Sequence, residues 1–538
     1  MGERKMEKSS RMLFKLILAV LLVAGVLSAC SQNGDLSGVA SSTDNGQNSG
    51  EAGDQNSTNS STDKGRDHQP VELTMFVDAT WYPFQDWSGE IPEMITKAIG
   101  VKPKITVATD DKQLALMVAS GDLPDIIVSF NFKLMSDGNL SWPYNEIFPK
   151  YAPDVKFDPV KELVNTVSDG NYYAIRNDFS PESEWKANPY AHMMVPGLAM
   201  RKDVLEEMGN PSIKSLEDLD NVFATVKEKY PEMTPLILNP NWQRPYFDAQ
   251  FGAYGGFVDE NGKIVYYLRQ DAVRKSMLYM NSLYRNGYIT SENFAYKNET
   301  ETEQMMAAGK GFAYTWTYSG AERLNADNKD NGISFVQLAE PLRPEASILS
   351  SGTGGLGMYV TKSNKNVEAT VKFLKYLFSE EGWRTAEWGV EGKDWSWNAA
   401  GYPEFNYDIN DLELLKKKGV YWWGVPTETG VGMALTSYKE GSETTRQGEK
   451  YSPIIKFNPA IGMINPDTDS PEQIIRTNID NMVKTEVTKI YLAATEAEAQ
   501  AAFDELIKKA EKIGMSKLEE WATAQYGPLK QKYDQLTK

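Results

Sequence analysis

Tryptophan and tyrosine set this sequence apart: 13 and 27 of them stand in 538 residues, beside a single cysteine and two histidines. A tryptophan or tyrosine pairs a flat apolar face with a polar handle, so a surplus beyond what a core needs points to a binding cleft. The scarce residue types exclude several chemistries. One cysteine and two histidines cannot build a multi-histidine zinc site, and a histidine-based triad would have to use His192, because His68 lies in a polar linker. The candidates for ligand contact are therefore aromatic rings with charged or amide neighbours. Trp81 stands beside Asp78 just after the first expected strand, where a parallel sheet opens its C-terminal edge. Asn131 follows the strand ending at Ser129 in the same way. Trp242, Arg244 and Asp248 share the proline-rich stretch 239–248, read as a loop, and loops on rigid scaffolds carry binding residues. Arg244 would fork onto a carboxylate.

The elements that must position these residues read as alternating strands and helices. Val71–Val77 is an apolar-rich strand, 91–99 a helix, 104–107 a strand, 112–120 a helix and 125–129 a buried strand. Gly121 stops the second helix and Pro124 prevents its resumption. This rhythm predicts an α/β fold with a mostly parallel sheet. Further on, Ser215 starts a helix with Leu216, Leu219, Phe223 and Val226 on one face. Residues 257–265 form a hairpin turning at Asn261-Gly262. A helix covers 366–378, and the tail 496–537 is helical, with breaks at Gly514 and Pro528. Gly352-x-Gly354-x-x-Gly357 fits a dinucleotide fingerprint, but a strand rather than a helix follows, so its glycines are read as a hinge.

The formal charge is −18, from 56 basic and 74 acidic side chains. An acidic surface argues against nucleic acid as a partner. The N-terminus carries Arg4, Lys5, Lys8, Arg11 and Lys15, then an apolar run from Leu16 to Leu27, the order of an export signal rather than a membrane span. Leu27-Ser28-Ala29-Cys30 resembles the lipobox of bacterial lipoproteins. That resemblance implies a signal peptide over 1–29 and lipidation at Cys30. From Ser31 to about Pro70 the chain is Ser, Gly, Asn, Asp and Thr, a tether spanning roughly 35 Å.

Four blocks resemble the extracellular solute-binding lipoproteins of bacterial ABC sugar importers. They are Ala119-Ser120-Gly121-Asp122-Leu123-Pro124-Asp125, the helix start at 211–229, Gly309–Trp316, and 363–382. The length, the tryptophans and the stretch Gly389–Trp395 resemble a Gram-positive, saccharide-binding subgroup. The resemblance implies a two-lobed periplasmic-binding-protein type II fold with hinge strands and a ligand cleft between lobes. Lobe one is expected over 71–196 plus 350–400, and lobe two over 198–342 plus 405–538, with crossings near 197–200, 341–351 and 399–404. Trp316 matches the family's stacking aromatic, while Glu391, Trp395 and Trp397 fall on the return through the hinge. Trp422 and Trp423 are read as core more than cleft. The implied partners are a saccharide, ABC permease subunits and, through acylated Cys30, the lipid bilayer at the outer face of the cell membrane. The chain would act as a monomer, with no cofactor, no metal and no catalysis of its own. Asp259-Glu260-Asn261-Gly262 and Asp327–Gly332 miss the calcium-loop pattern and are read as turns. Two readings stay open beside the receptor: an exported glycosidase or lyase, since paired carboxylates and tryptophans also describe a glycosidase cleft, and a peptide receptor or adhesion lipoprotein.

Overall fold

The computed structural model describes residues 69–188, 195–409, 411–420, 430–436, 438–467 and 469–537. The signal segment, Cys30, the linker up to residue 68, His192, Trp422 and Trp423 lie outside the described residues. Residues from Asp67 onward form one compact unit.

Two four-stranded sheets organise it. The first has the order β11-β3-β1-β2, built from β1 (Val71–Asp78), β2 (Val101–Val107), β3 (Ile126–Ser129) and β11 (Gly357–Val360). β1 runs parallel to both β2 and β3, and β11 closes the far edge antiparallel to β3. The apolar runs foreseen for β1 and β3 are what a sheet buried on both faces requires. Met75, Val77, Ile126 and Val128 are fully buried, and the helices Glu90–Ile99 and Val367–Phe378 press Ile91, Ile95, Val371 and Leu374 against them. β2 begins at Val101, three residues before the expected start, because Val101 to Pro103 extend the ladder with Val71 to Leu73.

The second sheet has the order β5-β8-β4-β9, from β4 (Pro196–Arg201), β5 (Thr234–Leu238), β8 (Gly311–Thr317) and β9 (Phe335–Gln337). Its own core gathers Leu198, Leu219, Phe223, Val226, Leu236 and Phe312. Ser215 caps the helix Leu216–Lys229 by accepting from Asp218 N–H at 3.1 Å. β6 (Phe257–Glu260) and β7 (Lys263–Tyr266) form the expected hairpin; Asn261 and Gly262 turn it at φ 57° and 87°.

A parallel ribbon of β10 (Ile348–Ser350) and β14 (Ile455–Phe457) joins the two halves. β10 leads into the glycine loop 352–355 and then β11, so those glycines belong to a hinge and not to a nucleotide site. β14 leads into Ala460, Ile461 and Ile464 of the second core. Thr436 still accepts from Trp388 Nε1 of the first half, while Gln447 donates to Pro196 O and Tyr451 Oη accepts from Gln250 of the second, so the last crossing lies between Thr436 and Gln447, not at 399–404. Residues 395–397 and 403–405 instead pair as a hairpin, β12 (Trp395–Trp397) with β13 (Pro403–Phe405). Leu415 and Val420 join the first core, so a second lobe starting at 405 does not match the packing. The physical reason is the insertion itself: the helix Leu412–Lys418 turns its apolar side onto the helix Glu90–Ile99 before the chain crosses.

Three helices, Pro471–Tyr491, Glu496–Ile513 and Met515–Thr537, finish the chain. The break at Gly514 is real. At Pro528 the helix continues, as an exposed interior proline can allow when its neighbours absorb the kink. Tyr533, near its end, packs with Val160, Val164 and Phe179 of the first half.

Candidate functional site

The C-terminal edge of the first sheet presents two exposed rings. Trp81 is 53% exposed and Phe130 52%. Their centroids lie 6.4 Å apart at a tilt of 45°, and the edge of Tyr82 supports Trp81 from 6.1 Å. Burial of Tyr82 and Phe84 beneath fixes the turn that carries Trp81. Asp78, at the end of β1, accepts a hydrogen bond from Ser129 Oγ at 2.7 Å, and the same oxygen accepts from Asn131 N–H at 2.9 Å. Asn131 Oδ1 in turn caps the short helix Phe132–Met135 by accepting from Leu134 N–H. Asp78 and Asn131 thus lock the ends of β1 and β3 together and hold the two rings in place. Phe130 was not singled out from the sequence, although its place one residue past β3 carries the same signal that marked Asn131.

In the second half, Asn239 follows β5 and is fully buried, donating its N–H to Thr315 Oγ1 at 3.1 Å and its amide to Tyr314 Oη at 2.9 Å. It fixes the turn on which half-buried Trp242 sits. The stretch read as a loop ends at Arg244, because Pro245 opens a helix, Pro245–Phe251, at the one helical position where proline fits best. Arg244 Nε donates to Asp248 Oδ2 at 2.7 Å, four residues on along that helix, and Ser276 Oγ donates to Oδ1 at 2.5 Å. Burial works against the Arg244 charge, but Asp248 and the Tyr491 and Tyr267 hydroxyls outweigh it and hold the guanidinium above its ordinary range. Arg244 and Asp248 satisfy each other within the second half.

Trp316 stands near the end of β8 opposite Gly197, with no room for a side chain at the glycine: a Cβ would meet Thr317 O at 2.4 Å. The ring is half buried, with Tyr314 edge-on at 6.2 Å and the Arg323 guanidinium 5.8 Å from its centroid. Of the hinge candidates, Glu391 is exposed, Trp397 is 38% exposed, and Trp395 is buried at 3% with Nε1 donating to Gly389 O at 3.1 Å. Trp395 and Trp397 meet edge to face at 5.0 Å, and Trp388 lies 4.8 Å from Trp395. The ten candidates therefore fall in three places: the first sheet's edge, the end of the second sheet and the tryptophan hairpin.

A cavity of 290 Å³ lies at the hinge, lined by Asp178, Ser180, Trp185, Leu349, Gly354 and Phe457 among others. The segment starting at Gly430 is held there by Val431 N–H donating to Ser180 Oγ at 3.0 Å and Gly430 N–H donating to Phe179 O at 3.3 Å. A second cavity, 750 Å³, opens between residues 132–138 and 163–170 on one side and 463–467 and the last helix on the other. Lys133 lines it and donates to Gln473 Oε1 across the two halves. Burial, then the Arg476 charge, lowers the Lys133 ammonium to about 8 against an opposing pull from Asp467.

The side chains of the two calcium-like stretches bond within the protein. Asp259 spends Oδ1 on Gly262 N–H and Oδ2 on the Tyr526 hydroxyl. Asn328 and Asn331 bond to backbone carbonyls of Leu324 and Ala307. Among the described residues no group of three acidic, histidine or cysteine side chains could hold a metal ion.

The arrangement matches known proteins. The chain is 24% identical over 469 residues to the fructooligosaccharide ABC transporter substrate-binding protein FusA of Streptococcus pneumoniae, covering 78% of this chain and 81% of that one. The solved structure of the S. pneumoniae FusA protein with kestose superimposes with a TM-score of 0.66 at 18% identity, over 85% of this chain and 99% of that one. An alginate-binding protein solved without calcium ion gives 0.61 at 17% identity, over 85% and 98%. Both share the periplasmic-binding-protein type fold expected from the sequence. Residues 88–382 match the bacterial extracellular solute-binding protein family, and with more than half of its length inside that match the chain belongs to this family.

Proposed function

We propose that this chain is an extracellular oligosaccharide receptor that delivers its ligand to an ABC importer. The observation that carries the reading is the exposed Trp81–Phe130 pair at the C-terminal sheet edge. Sugar rings offer a flat patch of C–H bonds, and solvent-reachable aromatic rings held by a rigid scaffold are what such a patch needs. Asp78 nearby supplies an acceptor for hydroxyls. The names of its relatives support the class: one binds kestose and another alginate. Trp242 and Trp316 would face the sugar from the second half, and Trp397 and Glu391 from the hairpin. Ligand bridging both halves would shift an open–closed equilibrium toward the closed form that a permease recognises. Cys30 would be acylated and tether the receptor, as a monomer, at the outer face of the membrane.

The receptor carries out no chemistry in this reading. A glycosidase needs two carboxyl groups flanking the bond. Glu387 is 1% exposed and does not line the hinge cavity, so it has no access to a glycosidic oxygen there.

Calorimetric titration of the folded chain with kestose, longer fructans, alginate oligosaccharides and peptides tests the proposal. Binding of at least one saccharide with a micromolar constant, about 8 kcal/mol, and without bond cleavage on prolonged incubation is the expected result. Selective binding of peptides alone, or cleavage by pure protein, overturns it. Palmitate labelling that survives Cys30→Ser would remove the anchor.

A further inference from the structure

The 750 Å³ cavity between the two halves has the size of a small-molecule site. Its lining begins at Phe132, two residues past the exposed ring of Phe130. Phe130 and Lys133 are three residues apart, so their Cα atoms lie no more than about 11 Å from each other. A short chain of sugars stacked on the first can therefore reach the second. From the second half, the last helix supplies half-buried Trp521, with Gln525 and Lys532. Ser168 lines the cavity from the first half. The serine hydroxyl and the glutamine amide both donate and accept, as a ring of sugar hydroxyls requires.

The acids of this cavity are occupied and its cations are not. Asp137 Oδ1 accepts from the N–H and the amide of Asn139 at 2.8 and 2.9 Å. Asp169 accepts from Asn171 N–H at 2.8 Å and from the Tyr173 hydroxyl at 2.5 Å. Half-buried Lys133 donates to the neutral amide oxygen of Gln473, on the helix Pro471–Tyr491. Arg476 follows Gln473 by three residues, the spacing of neighbours on one helix face. Asp467 also lines the cavity and is exposed, yet among the described residues no ion pair joins a carboxylate to Lys133, Arg476 or Lys532. We propose that this cavity receives a carboxylated saccharide, such as a uronate, with its carboxylate on Lys133 and its further rings running toward Phe130. The inference rests on the receptor reading and narrows it to acidic oligosaccharides. Burial and the Arg476 charge hold the Lys133 ammonium down at about 8, so a carboxylate brought to it supplies the counter-charge the protein lacks. Arg244 cannot take that role, because Asp248 already fills it.

Titration calorimetry of the full chain tests this with trisaccharides of galacturonate, mannuronate and guluronate, their methyl esters, kestose and the free uronates. An ester keeps the sugar and removes the charge. At least one acid should bind about tenfold tighter than its ester or better, and the gap should narrow as salt rises. Lys133→Gln should close the gap, weakening the acid by about ten- to a hundredfold and leaving the ester nearly unmoved. Lys532→Gln, exposed on the last helix, should narrow it by about threefold, and it carries the test if Lys133→Gln does not fold. Equal binding of acids and esters by the parent overturns the proposal, as does a gap that Lys133→Gln retains or, where that variant does not fold, one that Lys532→Gln leaves unchanged. In each of these cases binding of an ester or of kestose leaves the receptor reading standing. A free uronate binding as tightly as its trisaccharide also overturns the proposal, because the cavity would then be a site for small anions. Binding of no saccharide in any form overturns both readings.

Discussion

The rings at the edge of the first sheet and the rings of the tryptophan hairpin share a composition and differ in everything else. Trp81 and Phe130 each leave about half their surface to solvent and are held by polar contacts among Asp78, Ser129 and Asn131 beneath them. Trp383, Trp388 and Trp395 turn their edges into one another's faces at 4.8–4.9 Å and are buried; Trp388 Nε1 donates to Thr436 Oγ1 at 3.1 Å. An edge-to-face cluster uses up the faces a ligand would stack on. The first region can serve binding and the second stability, and Trp397, exposed at the rim of the cluster, lies between them.

Trp395→Ala breaks the comparison hardest if it is wrong. A ring 3% exposed, in contact with two other tryptophans, should cost about 3–5 kcal/mol of stability when removed, because the cluster cannot collapse into the space. Denaturant unfolding followed by tryptophan fluorescence measures this. Saccharide affinity, read on whatever fraction remains folded, should change little. A stable variant that has lost its ligand would move Trp395 into the site.

Trp81→Ala is the mirror case. Exposed at 53%, the ring contributes little to folding, so stability should shift by less than about 0.5 kcal/mol. Affinity should fall by about 1–3 kcal/mol, by analogy with stacking losses at aromatic platforms. Titration calorimetry against the saccharide that binds the parent decides it. Unchanged affinity would take the platform out of the site and leave Trp316 as the leading ring. Trp316→Ala should fall between the two, since that ring is half buried against Arg323 and also stands at a strand end.

Why the sequence could place both groups of rings and not tell them apart follows from periodicity. β1, β3 and the helix Leu216–Lys229 announce themselves because burial on one face imposes a repeat, and the candidates Asp78, Trp81 and Asn131 came from the strand ends so marked. The hairpin has no such repeat: Trp-Ser-Trp alternates like a strand that shows one face to solvent, yet its burial is set by Trp388, from a helix seven residues earlier, and by Phe405 on the partner strand. The hinge strand at 455–457 was hidden for a related reason. Three residues, Ile455-Lys456-Phe457, leave too short a pattern, and their pairing with Ile348–Ser350 is more than a hundred residues distant in sequence. Arg244 shows the limit for single side chains: residue type suggested a carboxylate ligand, but only the helical start at Pro245 puts Asp248 one turn away to take that role from within.

The finest test concerns the rim between the two regions. Arg384 extends over Trp397 with its guanidinium carbon 4.9 Å from the ring centroid, while Nη2 donates to Glu380 at 2.5 Å and buried Nε has no partner. If Trp397 belongs with the structural cluster, Arg384→Ala removes a cation–π contact and should cost about 0.5–1 kcal/mol of stability with affinity unmoved. If Trp397 belongs with the binding rings, the freed face becomes available to a sugar, and affinity changes while stability barely does. Measuring both on one variant assigns the ring. The first outcome is expected, because Trp397 already meets Trp388 and Trp395 edge to face at 5.8 and 5.0 Å.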